Sequence, residues 1–119
     1  MTETQLDAAL AALAHPLRRA LVDRLVQQPG QSTNQLADGF DVSRIAVMKH
    51  LRLLEEARLV VSRKEGRQRS HFFNAVPLQQ IIDRWTGAYG AFWAERMVDI
   101  KARIESRIEQ SNRKASKSA

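Results

Sequence analysis

The chain has 119 residues, enough for one domain with a single hydrophobic core, and its 44% hydrophobic and 27% charged residues are typical of soluble globular proteins. It contains no cysteine, which excludes disulfides, thiolate metal sites and thiol redox switches. Its net charge of +6 favours polyanionic partners, because Lys and Arg near phosphates release condensed counterions.

The first predicted element is a helix over residues 3–14. One of its faces carries apolar residues at helical spacing: Leu6, Ala9, Leu10 and Leu13. The helix includes the longest purely apolar run of the chain, residues 8–14, which is too short to span a bilayer. The N-terminal residues also lack the basic lead of a secretory signal. We therefore expect a cytoplasmic protein without a membrane partner.

Two further helices are predicted before residue 40. Pro16 suits the first turn of a helix over residues 17–28, because its missing N–H costs nothing there. A short helix follows "PG", where Ser32 can act as the cap and Gln35 can reciprocate in a capping box. The turn sequence Asp38-Gly39 is expected to close this helix.

A longer helix is predicted from the cap Ser43 to about Ala57, so a short helix, a tight turn and a longer helix follow one another. That is the spacing of a helix-turn-helix. At about 100° per residue, three apolar residues form the buried face of the longer helix. They are Val47, Leu51 and Leu54. Four residues lie opposite, and Arg44 and Met48 flank the buried stripe. These four are Ile45, Lys49, Arg52 and Glu56.

The outward face of this helix mixes basic and apolar residues, which is useful in the major groove of DNA. Lys49 and Arg52 can donate to guanine or to phosphates, while apolar tips such as Ile45 can meet the thymine methyl. Ser43 and the first-turn amides suit a phosphate. The alternative is that Ile45 and Met48 pack against a neighbouring element and that the charges are simply solvated.

A hairpin is predicted next, from a strand over residues 58–64, the turn Glu65-Gly66-Arg67 and a strand over residues 68–74. Four cations surround the turn: Arg63, Lys64, Arg67 and Arg69. Beside a recognition helix, a wing of this kind can reach phosphates or the minor groove. The alternative is that the charges only protect an edge strand from aggregation.

A long helix is predicted from Pro77 to about Gln110, followed by a disordered basic tail over residues 111–119. Gly87 and Gly90 would allow a kink or a close helix approach. A broad apolar stripe on this helix, together with the first helix, predicts a homodimer interface. Its expected residues are Leu6, Leu10, Leu13, Trp85, Tyr89, Phe92, Trp93, Met97 and Ile100. The alternative is a pocket at this C-terminal helix that binds a small apolar effector, or a docking site for a protein partner.

Three segments together carry a resemblance to a known family: "LAHPLRRALVDRLVQQPGQSTNQLA", "VSRIAVMKHLRLLEEARLV" and "RKEGRQRSHFFN". They resemble bacterial ArsR-type winged helix-turn-helix repressors over about residues 6–99. The segment "PLQQIIDRWTGAYGAFWAERM" further resembles the branch associated with START/AHSA1-like (SRPBCC) proteins. Many members of the family carry Ser where Met48 stands, and many carry Gly where Arg58 stands.

The resemblance implies which residues meet DNA. The residues that match the family in or beside the DNA-reading helix are Ser43, Arg44, Met48, Lys49 and His50. The hairpin matching residues 63–69 is the family's wing. We also include the start of the short helix among the DNA contacts: Ser32, Thr33 and Asn34.

A sensor or catalytic site is not predicted. Members of the family commonly sense metals through cysteines, or through acidic and histidine residues on the last helix. This chain has no cysteine, and no histidine follows His71. His15, His50 and His71 lack ligand spacing, so we expect no metal and no cofactor. His71 is expected to be a structural histidine. Neither a phosphate loop nor an activated nucleophile is visible, so we expect no enzyme.

These patterns predict a mostly α-helical winged helix-turn-helix with a small β-hairpin, which dimerises through its first and last helices. Residues 1–110 would form the DNA-binding and dimerisation domain. The predicted function is a homodimeric, nucleoid-associated repressor that binds a pseudo-palindromic operator in double-stranded DNA. The alternatives are a winged-helix module for protein interaction and a non-specific nucleoid-binding protein.

Overall fold

The computed structural model describes residues 1–87 and 89–117. In these residues it contains six α-helices and three β-strands. Their order is α1 (Glu3–Leu13), α2 (Pro16–Gln27), β1 (Gln31–Ser32), α3 (Thr33–Phe40), α4 (Arg44–Glu56), β2 (Val60–Glu65), β3 (Gln68–Phe73), α5 (Val76–Thr86) and α6 (Gly90–Lys117). The predicted mostly helical winged fold is therefore confirmed. No helix within the described residues is both long and apolar enough to cross a membrane.

The chain divides into two compact units, residues 1–81 and residues 82–119. The first unit has a hydrophobic core to which α2, α3, α4 and β2 contribute. Its fully buried large side chains are Leu21, Leu25, Leu36, Val47, Leu54 and Leu59. A smaller cluster joins Leu6 and Ala9 of α1 to Ile81 of α5. In the second unit the described part of α6 is mostly exposed, including its large apolar side chains.

The starts of α2 and α3 carry the predicted Pro16 and Ser32, and α2 has in addition a cap that was not predicted. The Ser32 hydroxyl accepts from the amide of Gln35, and the Gln35 side chain accepts from the Ser32 amide, which completes the predicted capping box. Pro16 stands in the first turn of α2, and the His15 ring caps that helix by accepting from the Leu17 amide at 3.1 Å. Local signals thus determine where α2 and α3 begin.

The sheet is antiparallel in the order β1-β3-β2, with Val60 opposite Phe73 and Glu65 opposite Gln68. Gly66 has a φ of 64° in the two-residue turn, a conformation for which hairpins use glycine. The short strand β1 is absent from the sequence-based expectation. Its two polar residues form a strand only because they pair with β3, so no local sequence pattern predicts β1.

The end of α3 differs from the prediction, because Gly39 lies inside the helix and Asp41 forms its left-handed end with a φ of 51°. A Cβ at Gly39 would stand 3.0 Å from a guanidinium nitrogen of Arg24. The same guanidinium lies 5.3 Å from the centre of the Phe40 ring. Gly39 therefore lies inside α3 beside the Arg24 guanidinium and does not close the helix.

The single long C-terminal helix is also a wrong prediction, because α5 ends at Thr86 and α6 begins at Gly90. Two glycines within four residues weaken the helix here, each by about 1 kcal/mol relative to alanine. At Gly87, a Cβ would stand 2.7 Å from the carbonyl oxygen of Asp83. Helix α6 continues to Lys117, beyond the expected end at residue 110, because neither Gly nor Pro interrupts it there. The boundary between residues 110 and 111 remains a prediction, and residues 118–119 lie outside the described residues.

Candidate nucleic-acid interface

Helix α4 has two distinct faces. Its first turn is capped by the Ser43 hydroxyl, which accepts from the Ala46 amide at 3.1 Å. The predicted inward residues are buried in the core: Val47, Leu51 and Leu54. Ile45 is 67% exposed and Met48 is 45% exposed. The exposure of Ile45 contradicts the alternative that it packs into the domain. The outward face thus presents apolar and basic groups together.

The end of α4 directs the chain into the wing. Arg58 has a φ of 62°, the left-handed conformation that usually favours glycine. Its amide donates to the carbonyl of Glu55, and the amide of Leu59 donates to the carbonyl of Leu54, both at 2.9 Å. These two bonds form a Schellman motif with arginine in the position of glycine. The Asn74 side chain also donates to the Arg58 carbonyl at 2.8 Å, which ties the motif to the end of the wing.

The register of the hairpin places the four predicted cations of the wing at different positions: two on one sheet face, one on the other face and one in the turn. Lys64 pairs with Arg69, and alternation along the strands puts both on the same sheet face as His71. Arg63 belongs to the opposite face, where its guanidinium lies 5.9 Å from the centre of the Phe72 ring. Arg67 is exposed in the turn itself. Two of the cations therefore share the side of the wing that faces α4.

A cleft of about 100 Å³ lies between α4, β3 and the start of α3. Its lining consists of Thr33, Met48, Leu51, Arg52, Glu55, Arg69 and His71. Four of these residues, from three separate elements, were predicted to contact DNA: Thr33, Met48, Arg52 and Arg69. The fold therefore brings Met48 and Arg52 of α4 and Arg69 of the wing to one surface depression.

His71 occupies the floor of this cleft and is 2% exposed. Its Nε2 lies 2.9 Å from the Thr33 hydroxyl, and its Nδ1 lies 2.7 Å from the Ser62 hydroxyl and 3.7 Å from Glu55 Oε1. Burial lowers the pKa of His71, Glu55 partly opposes this effect, and Arg69 lowers the pKa further. The expected structural histidine is thus found, joined to two partners that sequence reasoning missed, Glu55 and Ser62.

His50 does not lie on the exposed, outward face of α4. Its ring is half-buried, 4.6 Å from the centre of the His15 ring, and its Nδ1 lies 3.2 Å from Nη1 of Arg18. Arg18 also donates to the Ala12 carbonyl at the end of α1. Burial lowers the pKa of His50, and His15 and Arg18 lower it further. The structure therefore places His50 at the junction of α1, α2 and α4, and its contact with DNA stays a prediction.

The three residues predicted at the start of α3 have different positions. The Ser32 hydroxyl is used as the helix cap, and the Thr33 hydroxyl is bonded to His71. Asn34 is exposed, so its side chain is open to a ligand. Among these three residues, only Asn34 combines exposure with a side chain free of a described structural role.

The predicted dimer residues also differ in exposure. Leu6 is 5% exposed and belongs to the protomer's own core, which leaves it little surface for a partner. Leu13 is partly buried against the main core, whereas Leu10 is 45% exposed. The predicted C-terminal residues are all between 46% and 66% exposed: Trp85, Tyr89, Phe92, Trp93, Met97 and Ile100.

Within residues 1–87 and 89–117, no group of three or more His, Asp or Glu side chains is arranged to hold a metal ion.

Comparison with known proteins agrees with this geometry. The model of a helix-turn-helix domain family matches residues 13–63, which include α2, α3 and α4. The chain is 41% identical over 86 residues to the HTH-type transcriptional regulator Rv2034 of Mycobacterium tuberculosis, covering 69% of this chain and 79% of the relative. It is 35% identical over 85 residues to the HTH-type transcriptional regulator YuzN of Bacillus subtilis, covering 66% of this chain and 92% of the relative.

The solved structure of an ArsR-like transcriptional regulator from Rhodococcus sp. RHA1 matches with a TM-score of 0.65 and 33% identity, covering 89% of this chain and 98% of that one. A helix-turn-helix followed by a basic wing defines a winged helix-turn-helix DNA-binding protein. The chain belongs to the ArsR-type family of transcriptional regulators with this fold. The narrower resemblance to the START-associated branch stays a prediction.

Proposed function

We propose that the protein is a homodimeric repressor that recognises a pseudo-palindromic operator with α4 and the wing. The observation that carries the proposal is the convergence of Met48 and Arg52 of α4 with Arg69 of the wing at one cleft. If α4 were only a solvated helix face and the hairpin charges only protected an edge strand, nothing would require the two basic elements to lie beside one cleft. The proposal assigns sequence recognition to α4 and backbone contacts to the wing.

Helix α4 would lie in the major groove. There Lys49 and Arg52 donate to guanine O6 and N7, while the exposed tips of Ile45 and Met48 meet thymine methyl groups. Met48 replaces the hydrogen-bonding serine of many relatives, so its contact favours thymine through apolar packing. The amides at the start of α4, beside Ser43, suit a backbone phosphate.

The wing would bind next to the groove occupied by α4. Arg67 at the tip of the turn reaches a phosphate or the adjacent minor groove. Lys64 and Arg69, on the face shared with His71, lie on the α4 side of the wing and meet phosphates that flank the same half-site. These contacts supply affinity that depends strongly on salt but little on sequence.

The homodimer is supported by the exposed apolar residues of α6. They recur at helical spacing along one side of this helix: Trp93, Met97, Ile100, Ile104 and Ile108. Each of them is at least 48% exposed, which a protein in water ordinarily avoids over so long a stretch. Pairing with a second copy buries this stripe. A two-fold axis then separates the two recognition helices by about 10 bp or a multiple of it.

Repression follows if the bound dimer occludes a promoter. The protein would act in the bacterial cytoplasm on the nucleoid, and this mechanism requires neither catalysis nor a cofactor. A second candidate function comes from the aromatic side chains at the end of α5 and the start of α6. Trp85, Tyr89 and Trp93 are each more than half exposed and could bind an apolar effector or a protein partner.

The test is a salt-titrated binding experiment with a duplex that the protein selects from a random pool and with a scrambled version of it. We expect the selected duplex to bind about a thousandfold more tightly. Lys49→Ala should reduce that ratio, whereas Arg113→Ala, which removes one exposed cation of α6, should not. A ratio near one between the affinities of the wild-type protein for the selected and scrambled duplexes would contradict the proposal. An absence of salt-dependent DNA binding would instead favour the alternative of a winged-helix module for protein interaction.

A further inference from the structure

Four polar side chains connect the helix-turn-helix to the wing through the floor of the cleft. Thr33 belongs to α3, Glu55 to α4, Ser62 to β2 and His71 to β3. The Thr33 hydroxyl contacts His71 at 2.9 Å, the Ser62 hydroxyl contacts His71 at 2.7 Å, and Ser62 Oγ contacts Glu55 Oε1 at 2.5 Å. The four side chains form one continuous chain of hydrogen bonds, which we call the polar chain.

The donors and acceptors assign a direction to the polar chain. Ser62 has one hydroxyl hydrogen, and it donates that hydrogen to the carboxylate of Glu55. The Ser62 oxygen must therefore accept from Nδ1–H of His71. A neutral His71 then has its lone pair on Nε2, where it accepts from the Thr33 hydroxyl. Every hydrogen points from α3 through the wing towards α4, and His71 is the Nδ1–H tautomer.

The hydrogen-bond directions assigned to the polar chain describe a neutral imidazole. The charged groups that face His71 are Glu55 from α4, Arg69 from its own strand and Arg52 at the rim of the cleft. A second proton on Nε2 would turn that atom into a donor, so the Thr33 hydroxyl would accept from it and would have to direct its own hydrogen elsewhere. Burial already opposes the charged form and lowers the pKa of His71. Burial therefore favours the neutral ring and the hydrogen-bond directions that belong to it.

We propose that His71 is a positioning residue for DNA recognition, which acts through Ser62 and Glu55 to hold the wing at one angle against α4. The inference rests on the proposed use of α4 and the wing. With the angle held, Arg52 and Arg69 face the same cleft and meet the same half-site. In some proteins, buried polar groups of this kind determine which arrangement the fold adopts.

The decisive experiment compares Ser62→Ala, Ser62→Thr and Ser70→Ala in binding to the selected and scrambled duplexes. Ser62→Ala removes the link between His71 and Glu55, while Ser62→Thr retains the hydroxyl. Ser70 is the matched control, because it is also half-buried in the sheet but lies on the opposite face of β3. Thermal unfolding of each variant checks that it is folded.

We expect Ser62→Ala to bind the selected duplex about tenfold more weakly, a loss equivalent to about 1.4 kcal/mol, while its binding to scrambled DNA hardly changes. Ser62→Thr should recover most of the loss, and Ser70→Ala should bind like the wild type. Equal specificity ratios for Ser62→Ala and Ser70→Ala would overturn the inference. If Lys49→Ala still lowers the ratio in that case, the proposed function stands and only the role of His71 fails.

A spectroscopic measurement tests the same inference without DNA. Imidazole ¹⁵N spectra of the full protein at neutral pH should show His71 protonated at Nδ1 and unprotonated at Nε2. Ser62→Ala removes the hydroxyl that accepts from Nδ1–H and should shift the Nδ1 resonance, while Nε2, whose partner Thr33 is retained, should change less. An Nε2–H tautomer in the wild-type protein, or an unchanged spectrum in Ser62→Ala, would overturn the inference.

Discussion

Arg58 has a left-handed backbone with a φ of 62°, and its amide donates to the carbonyl of Glu55 at 2.9 Å, where α4 passes into the wing. A non-glycine residue in this conformation costs about 1–2 kcal/mol. The conformation persists because Leu59, fully buried, completes the Schellman motif. The transition from α4 to the wing thus contains local strain that one substitution can remove.

Arg58→Gly should raise the free energy of unfolding by about 0.5–1 kcal/mol. Glycine relieves the left-handed strain, while its greater freedom in the unfolded chain offsets part of the gain. Chemical denaturation of the wild type and of Arg58→Gly measures the change. Arg58→Ala is the matched control, because it removes the side chain without relieving the backbone and should not stabilise. A destabilised glycine variant would contradict this account of the helix end.

The two faces of α4 predict a large difference between neighbouring leucines. Leu54 is fully buried, whereas Leu53 is 44% exposed. Leu54→Ala should lower the free energy of unfolding by about 3 kcal/mol, because it removes buried methyl groups and leaves a cavity. Leu53→Ala should cost less than about 1 kcal/mol. Similar losses in urea unfolding experiments would show that the assignment of the buried face is wrong.

Lys49 and Arg67 should affect DNA binding in different ways. Lys49→Ala should relax the base preference at one position of each half-site, with a loss of about 1–3 kcal/mol for the preferred base. Arg67→Ala should weaken binding to all sequences alike and reduce the salt slope by about one. Binding to a set of single-base variants of the selected duplex, at several salt concentrations, separates the two effects. If both variants only changed thermal stability, α4 and the wing would have no role in DNA binding.

Stability should fall as the pH is lowered through the range in which His50 and His71 take up protons. Burial lowers the pKa of both rings, so the unfolded chain, with an ordinary histidine pKa of about 6.5, binds protons more readily than the folded one. Their contribution is therefore fully present above that pH and is lost as the pH falls below it. Urea unfolding at pH 7.5 and pH 5.5 should show a smaller loss for His50→Gln than for the wild type. An equal loss would mean that His50 is not responsible.

Ile104→Glu should convert the proposed dimer into a monomer, because it puts a charge in the middle of the apolar stripe of α6. Ile104 is 54% exposed in the protomer, so the substitution itself should cost the protomer little stability. Sedimentation velocity of the full chain measures the change in mass. Ser106→Glu adds the same charge away from the stripe and should leave the dimer intact. If Ile104→Glu sedimented like the wild type, another surface would have to form the dimer.

Much of the fold could be predicted because its signals are local. The capping residues Ser32 and Gln35, three positions apart, predict the start of α3, and Pro16 predicts the start of α2. The alternation of buried and exposed positions in α4 likewise depends only on helical spacing, so Val47, Leu51 and Leu54 could be assigned to the core. The local signals failed at Gly39, which lies inside α3, because the helix continues to Phe40 and Asp41 forms its left-handed end.

The sequence by itself determined the helix caps, the buried stripe of α4 and the basic hairpin, because each depends on residues within a few positions of one another. Only the tertiary structure decided which polar groups meet. His71 bonds to Thr33, 38 positions earlier, and to Ser62, nine positions earlier. His50 likewise contacts Arg18, 32 positions earlier. This contact lies away from the outward face of α4. Such contacts depend on how separate elements pack and on the register of β2 and β3, which no short stretch of sequence specifies.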